Sequence, residues 1–242
     1  MSIYEQLQKK MILLAEQYGL MKEEIRVQTD ILTAEQAIGR PERQDFPLLK
    51  GKEKMVEAEL QGAKGQAFTN RPGFYQGTIG DVLELNLDDN FARAVFVATL
   101  NALCRRVGLV ENTRHCRNRG PAECGRQVVT FLQNRYDNPR LGMVGLQPAL
   151  LAACAPAFTM RVVDLDPDNI GQIREGVLIE DGEKAAGDMA AWAQLLFVTG
   201  STLVNNTIDF WLHVPGPVVF YGNTIAGAAA LLGLQRFCPC SD

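Results

Sequence analysis

The sequence predicts an α/β chain whose C-terminal half forms a Rossmann-like parallel sheet with helices on both faces, preceded by a smaller α+β unit. Three observations carry this. From about residue 125 onward, apolar runs of four or five residues alternate with helical segments, the pattern of βαβ units whose strands are buried on both faces. The first 86 residues instead mix one helix with strand-like runs separated by turn-rich stretches. Hydrophobic residues make up 47% of the 242 positions and charged residues 21%, which supplies one large core or two ordinary ones. The expected division is residues 1–110 for the α+β unit and 111–242 for the ligand-binding α/β unit.

The elements follow in order. "MSIYEQLQKKMILLAEQYGL" intersperses Glu5, Lys9, Lys10 and Glu16 among apolar residues, which predicts an amphipathic helix over about 2–18 rather than a signal peptide. "EIRVQTDIL", "MVEAELQG" and "GQAFTNRPGFYQG" read as strand-like runs, and "GRPERQDFPLLKGKE" as turns between them. "DDNFARAVFVATLNALCRRVG" is a helix capped by Asp88 or Asp89 and ended at Gly108. Helical "RQVVTFLQNRY" then leads to strand "LGMVG" (141–145), helical "PALLAAC" and strand "MRVVD" (160–164). Short strand "GVLI" (176–179), helix "EKAAGDMAAWA", strand "LLFVT" (195–199) and helical "TLVNNTIDFWL" come next. Strand "PVVFY" (217–221) and helical "IAGAAALLGL" complete the series.

A net charge of −4 and a pI near 5.4 favour neither nucleic acid nor an anionic membrane as partner. The uncharged run from Phe210 to Gln235 could span a bilayer on length alone, but Pro215, Pro217, Asn223 and its glycines make it strand, loop and buried helix. A cytoplasmic location is expected, with Cys104, Cys116, Cys124, Cys154, Cys238 and Cys240 as thiols rather than a disulfide framework.

Ligands of doubly wound sheets bind beyond the carboxyl ends of the strands. Four connections fall there. They are Gly145-Leu146-Gln147-Pro148, the loop from Asp164 through Asp166 and Asn169, Thr199-Gly200-Ser201-Thr202 with Asn205, and Gly222-Asn223-Thr224. Asp164 lies 19 residues after Gly145, the offset at which dinucleotide folds carry a ribose-binding acid. "GLQP" is not the three-glycine fingerprint, however, and Pro148 removes a backbone donor that a pyrophosphate would use. "VTGST" offers amides and hydroxyls at a helix start, suited to a carboxylate, a phosphate or a polar head. "GNTIAG" repeats that chemistry without the lysine of a P-loop. Each loop alone reads equally well as a cap or a turn; together on one edge they predict a ligand cleft. Asp164, Asp166 and Asp168 alternate as in a calcium loop, but Pro167 and the lack of a later glutamate argue against one.

"RHCRNRGPAECG" (114–125) sets His115 and Cys116 near Cys124. Its spacing is not that of a zinc knuckle, and neither is the terminal "RFCPC". Pro121 marks a helix start, which puts Cys124 in the first turn, where the helix end and Arg117, Arg119 and Arg126 favour a thiolate and oppose a cation. Read alone, the stretch is a helix start with buried thiols. Cys104 and Cys154 read as core, and His213, Phe210 and Trp211 as packing residues.

Taken together, "HCRNRGPAECG", "VGLQPALL", "VVDLDPDNIG", "VTGSTLVNNTI", "FYGNTIAGAA" and "RFCPC" resemble the domain family named "Putative heavy-metal chelation", most specifically over about 113–240. The resemblance implies an N-terminal domain like the enolase N-terminal fold, a Rossmann-like second domain and a ligand cleft between them. It also implies a heavy or transition metal, or a metal complex, as ligand, with His115, Cys116, Cys124 and Cys238 as candidate metal-facing residues. The alternative is an enzyme using a nucleoside cofactor, such as an S-adenosylmethionine- or nucleotide-dependent transferase. Gly145 and Asp164 would then bracket the nucleoside, with Cys116 or Cys124 as nucleophile or general acid; no base completes a catalytic set. A subunit-interaction role ranks third, and the apolar C-terminal helix and exposed sheet edge suit a homodimer.

Overall fold

Ser2 starts the first helix, α1 (Ile3–Gln17): its hydroxyl accepts from the Glu5 amide, and the Glu5 carboxylate accepts from the Ser2 amide at 2.7 Å. Ile3, Leu7, Met11 and Ala15 recur at helical spacing and are buried. This computed structural model describes residues 1–28, 38–41, 43, 45–46, 54–71 and 73–242. Residues 29–32 of the "EIRVQTDIL" run and most of "GRPERQDFPLLKGKE" lie outside the described residues.

Strands β1 (Glu24–Gln28), β2 (Lys54–Leu60), β3 (Ala63–Thr69) and β4 (Phe74–Thr78) form an antiparallel sheet in the order β3-β2-β1-β4. The expected single run "GQAFTNRPGFYQG" is thus two strands, β3 and β4, on opposite edges. Gln61 (φ 48°) and Gly62 (φ 85°) make the tight β2–β3 turn, whose two positive φ values match the right-handed strand twist. Short helix α2 (Ile79–Leu83) follows. Asp89 then caps α3 (Asn90–Arg106), accepting from the amides of Phe91 and Ala92 at 2.7 and 3.0 Å. From Arg93 to Cys104 every residue of α3 is buried, because the helix is packed on both sides.

The second sheet uses β5 (Leu141–Val144), β6 (Met160–Asp164), β7 (Ile173–Arg174), β8 (Val177–Asp181), β9 (Leu195–Thr199), β10 (Val218–Tyr221) and β11 (Arg236–Phe237). Their order is β11-β10-β9-β5-β6-β8-β7, parallel throughout except for the β7–β8 pair. Leaving β7 aside, this is the 3-2-1-4-5-6 order of the doubly wound dinucleotide folds, with the reversal between β5 and β9. The helices between are α4 (Gly120–Tyr136), α5 (Pro148–Cys154), α6 (Gly182–Trp192), α7 (Ser201–Val204), α8 (Ile208–Leu212) and α9 (Ala226–Leu232).

Three details depart from expectation. β8 is extended by a hairpin to β7 through Glu175 (φ 50°) and Gly176 (φ 79°). β11 adds a sixth parallel strand, seated by Phe237 against Phe131 and Phe197. The expected continuous helix "TLVNNTIDFWL" breaks into α7 and α8, because Asn206 takes φ 62° and the Asn205 side chain accepts from the Thr207 amide and hydroxyl.

One apolar cluster runs through both sheets, joining Leu7, Val27 and Phe96 to Val198, Leu203 and Phe220. Helix α3 lies at its centre, against β2 and β3 on one side and α7 and α9 on the other. The C-terminal residues close the frame: Asp242 and Arg114 exchange two backbone bonds, of 2.6 and 3.1 Å, and an ion pair of 3.0 Å. Among the described residues no helix is long and apolar enough to cross a membrane.

Candidate functional site

A cavity of about 730 Å³ opens between the two sheets, beyond the carboxyl ends of β5, β6, β9 and β10. Its floor is the point where the strand order reverses, as the topology requires. All the predicted cleft residues line it except Pro148, which starts α5 beside a shallower groove, and Asn223, which is 1% exposed behind the wall.

The floor is held tightly. Gly145 has φ +84°, and a Cβ there would come within 2.7 Å of Thr199 Cγ2, so only glycine lets the β5 turn lie against β9. The Tyr221 hydroxyl sits beneath, within reach of the Gly145 and Val144 carbonyls at 2.6 and 3.0 Å. Asp164, at the end of β6, accepts from the Leu146 amide at 2.6 Å and the Asp166 amide at 2.7 Å. Burial pushes its carboxyl pKa up, opposed by these two backbone bonds. Gln147 caps α5 through its side-chain oxygen, which accepts from Leu150 at 2.6 Å.

The Thr-Gly-Ser-Thr loop is not the open set of amides that the sequence suggested. The Gly200 amide donates to the Tyr221 carbonyl at 2.8 Å and the Ser201 amide to Thr199 Oγ1 at 3.3 Å. The Thr202 hydroxyl donates to the Thr199 carbonyl at 2.7 Å. Thr224 Oγ1 accepts from the Phe68 amide at 3.2 Å, which ties this floor to β3 of the other sheet.

The opposite wall carries His115, Cys116, Cys124 and Cys238, all of which line the cavity. The His115 amide donates to Gln66 Oε1 at 2.7 Å, and its ring stands edge-on to Phe68 at 5.5 Å between centroids. Among the described residues its Nδ1, which is closed off from solvent, has no hydrogen-bond partner. Burial lowers the imidazole pKa to about 4, so His115 is neutral at physiological pH.

The pull toward a thiolate that the local arginines suggested at Cys124 is absent, in keeping with a buried thiol. Its hydrogen bond with the Cys116 thiol and its burial both raise its pKa, against a smaller opposing effect of Cys240. Arg126, one of the arginines invoked to favour the thiolate, pairs instead with Glu123 on the exposed face of α4. Cys240 is pushed up to about 12 by burial and by Cys124, and burial raises Cys238 as well. These are thiols, and among the described residues no three His, Cys, Asp or Glu side chains form a group able to hold a metal ion.

Sequence reasoning missed the residues that place this wall. Gln66, 3% exposed on β3, donates through Nε2 to Glu57 Oε2 at 2.7 Å and through its amide to the Thr113 carbonyl at 3.0 Å. Asn101, fully buried in α3, donates to the carbonyls of Gln66, Asn223 and Thr224 at 2.9–3.2 Å and accepts from the Gly227 amide at 2.7 Å. The available signal was an asparagine inside an otherwise apolar helix, since a buried amide must be fully bonded.

Part of the chain matches a known family model. Residues 127–230 match DUF364, "Putative heavy-metal chelation". A DUF364 protein of unknown function from Pyrococcus horikoshii superposes with a TM-score of 0.53 at 12% identity, over 92% of this chain and 79% of its own. A second, from Desulfitobacterium hafniense DCB-2, gives 0.52 at 14% identity, over 75% and 72%. At these identities the likeness is one of fold. No curated protein matches the chain. The DUF364 match covers the cavity floor, while His115, Cys116, Cys124 and Cys238 lie outside the matched residues.

Proposed function

We propose that the chain binds a small molecule carrying a heavy metal in the cavity between its two sheets, with residues 1–110 and 111–242 supplying the two sides. One observation carries the reading. A neutral imidazole lies in the wall of a cavity of about 730 Å³, a size that suits an organic chelate. A neutral imidazole is the usual nitrogen ligand for borderline metals. Because no complete donor set is preformed among the described residues, the metal keeps its own chelator and His115 adds a donor, with the thiols of Cys116 and Cys124 alongside. The DUF364 description supports the metal, and the six free cysteines suit a reducing, cytoplasmic setting.

The test uses copper(II) complexes that leave a coordination position open, with diethylenetriamine, iminodiacetate or nitrilotriacetate as chelator. Binding is expected to shift the copper visible and paramagnetic-resonance spectra toward an added nitrogen ligand, and His115→Ala to abolish that shift. The reading fails if neither these complexes nor bare nickel, copper or zinc ions bind at micromolar concentration.

The nucleoside-enzyme reading has one observation in its favour: the Gly145 turn and Asp164 do adjoin, through the Leu146 amide. Both Asp164 oxygens already accept backbone amides, however, which leaves the carboxylate holding loops rather than standing open to a ribose. Thermal shift with adenosine and S-adenosylmethionine separates the two, since only the enzyme reading expects a rise.

A further inference from the structure

The reading above leaves the organic part of the ligand unspecified, and the cavity's polar groups restrict it. We propose that the bound molecule is an amine-bearing, cationic chelate rather than a phosphorylated or polycarboxylate one; this rests on the cavity being the binding site.

The cavity is rich in acceptors and poor in charged donors. Asp164, Asp166 and Glu183 line it, and among the described residues no lysine or arginine does. Among the described residues two arginines reach its wall from behind, held by backbone carbonyls and, in addition, Arg93 by Asn90 Oδ1 and Arg236 by the Cys238 sulfur. Arg93 donates to the carbonyls of Val204 and Leu87 at 2.7 and 2.6 Å. Arg236 donates to the carbonyl of Gly222 at 2.9 Å and to that of Asn112. Neither guanidinium is presented to a ligand. The amides of Gly200 and Ser201, which would otherwise cradle an anion, are bonded within the floor. An anionic ligand would therefore be desolvated against carboxylates, with no lysine or arginine among the described lining residues to meet it, which is unfavourable on both counts.

A cationic amine meets the opposite conditions. Its N–H groups find the Glu183 carboxylate at the start of α6, with the charges of Asp164 and Asp166 nearby. Its alkyl part finds the aromatic wall of Phe210 and Trp211, whose rings stand edge to face at 4.7 Å and whose faces attract cations. Independently of the acids, the His115 side chain lines the same cavity and offers its imidazole to the ligand's metal.

The experiment ranks the same three copper complexes by charge on the full-length protein. Dicationic copper–diethylenetriamine is expected to bind tightest, neutral copper–iminodiacetate next and anionic copper–nitrilotriacetate weakest. The span from first to last should be about tenfold or more at low ionic strength and should shrink in high salt. Spermidine, a metal-free polyamine, should compete with the first complex. Glu183→Gln should weaken the dication about threefold and leave the neutral complex unchanged. Asp164→Asn removes a charge too but disturbs two loops, so Glu183→Gln carries the test.

The proposal is overturned if the anionic complex binds as tightly as the dication, or if Glu183→Gln leaves the dication unaffected. Should no copper complex bind, the metal reading fails and spermidine decides this one. Binding of spermidine that weakens in Glu183→Gln sustains the proposal, and absence of binding ends it.

Discussion

Glu57 is two hydrogen bonds away from His115 and helps to set its position. Its carboxylate accepts from Lys64 Nζ at 2.8 Å and from Gln66 Nε2 at 2.7 Å, and Gln66 in turn accepts from the His115 amide. Burial alone would push the Glu57 pKa up. The bonds from Lys64 and Gln66, with the charges of Lys64 and Arg114, outweigh it and leave the pKa below its ordinary 4.5. A carboxyl with a depressed folded-state pKa stabilises the fold fully above its unfolded value and ceases to do so as pH falls through its folded value. The stability gap between the wild type and Glu57→Gln should therefore be constant near neutrality and close as pH drops below 4.5. Urea midpoints measured at a series of acidic pH values check this, and a gap that persists at the lowest pH would refute it. Asn101 is a sharper case of the same logic, without charge. Asn101→Ala would strip three carbonyls and one amide of their buried partner, at a cost of roughly 3 kcal/mol by urea unfolding.

At the scale of elements, β3 packs closely against α3, and one glycine permits it. A Cβ on Gly65 would fall inside the backbone of α3 at Ala98 and Ala102. Gly65→Ala must then push the helix off the sheet. We expect a loss of about 2–4 kcal/mol, read from urea unfolding, well beyond the effect of alanine at an exposed strand position. The parallel strands were readable in the sequence for a physical reason. "LGMVG", "LLFVT" and "PVVFY" are buried on both faces or nearly so, and such strands must be largely apolar, while "MRVVD" keeps only its Val162-Val163 centre buried. β7 and β11 are two residues each, too short to show any period, and exist only through their partners. The cleft loops were readable because topology puts strand ends on one edge. What the loops do was not. The Gly200 amide is taken by Tyr221, 21 residues away in the sequence, and the Cys124 thiol by Cys116 and Cys240, and local charge patterns carry no information about such partners. His115 was visible as a candidate, whereas its support from Gln66 crosses between sheets and was invisible.

For the molecule as a whole, the decisive feature is that the two sheets share one core. Phe96, Leu100 and Leu103 of α3 are fully buried, and the cluster they belong to contains residues of α1, β1 and β2 as well as of β9, β10 and α9. A cut after residue 110 would give the first fragment all of α3 with one packed side exposed, and would leave the second sheet without the helix that covers α7 and α9. Hydrophobic burial is the main favourable contribution to folding, so neither fragment should retain a native core alone. The intact chain should then unfold as one cooperative unit. Its optical probes are well placed to test this. Both tryptophans, Trp192 and Trp211, lie in the C-terminal half, so their fluorescence reports that half alone, whereas far-ultraviolet circular dichroism reports both. The two urea curves should superpose, as all-or-none unfolding demands. Separately expressed 1–110 and 111–242 should lack native-like packing, and should regain the intact chain's tryptophan emission when mixed. Two resolved transitions, or a fragment that folds cooperatively alone, would show that the sheets carry separate cores. The cavity between them would then be free to open and close independently of unfolding, instead of being held at a fixed width by the shared helix.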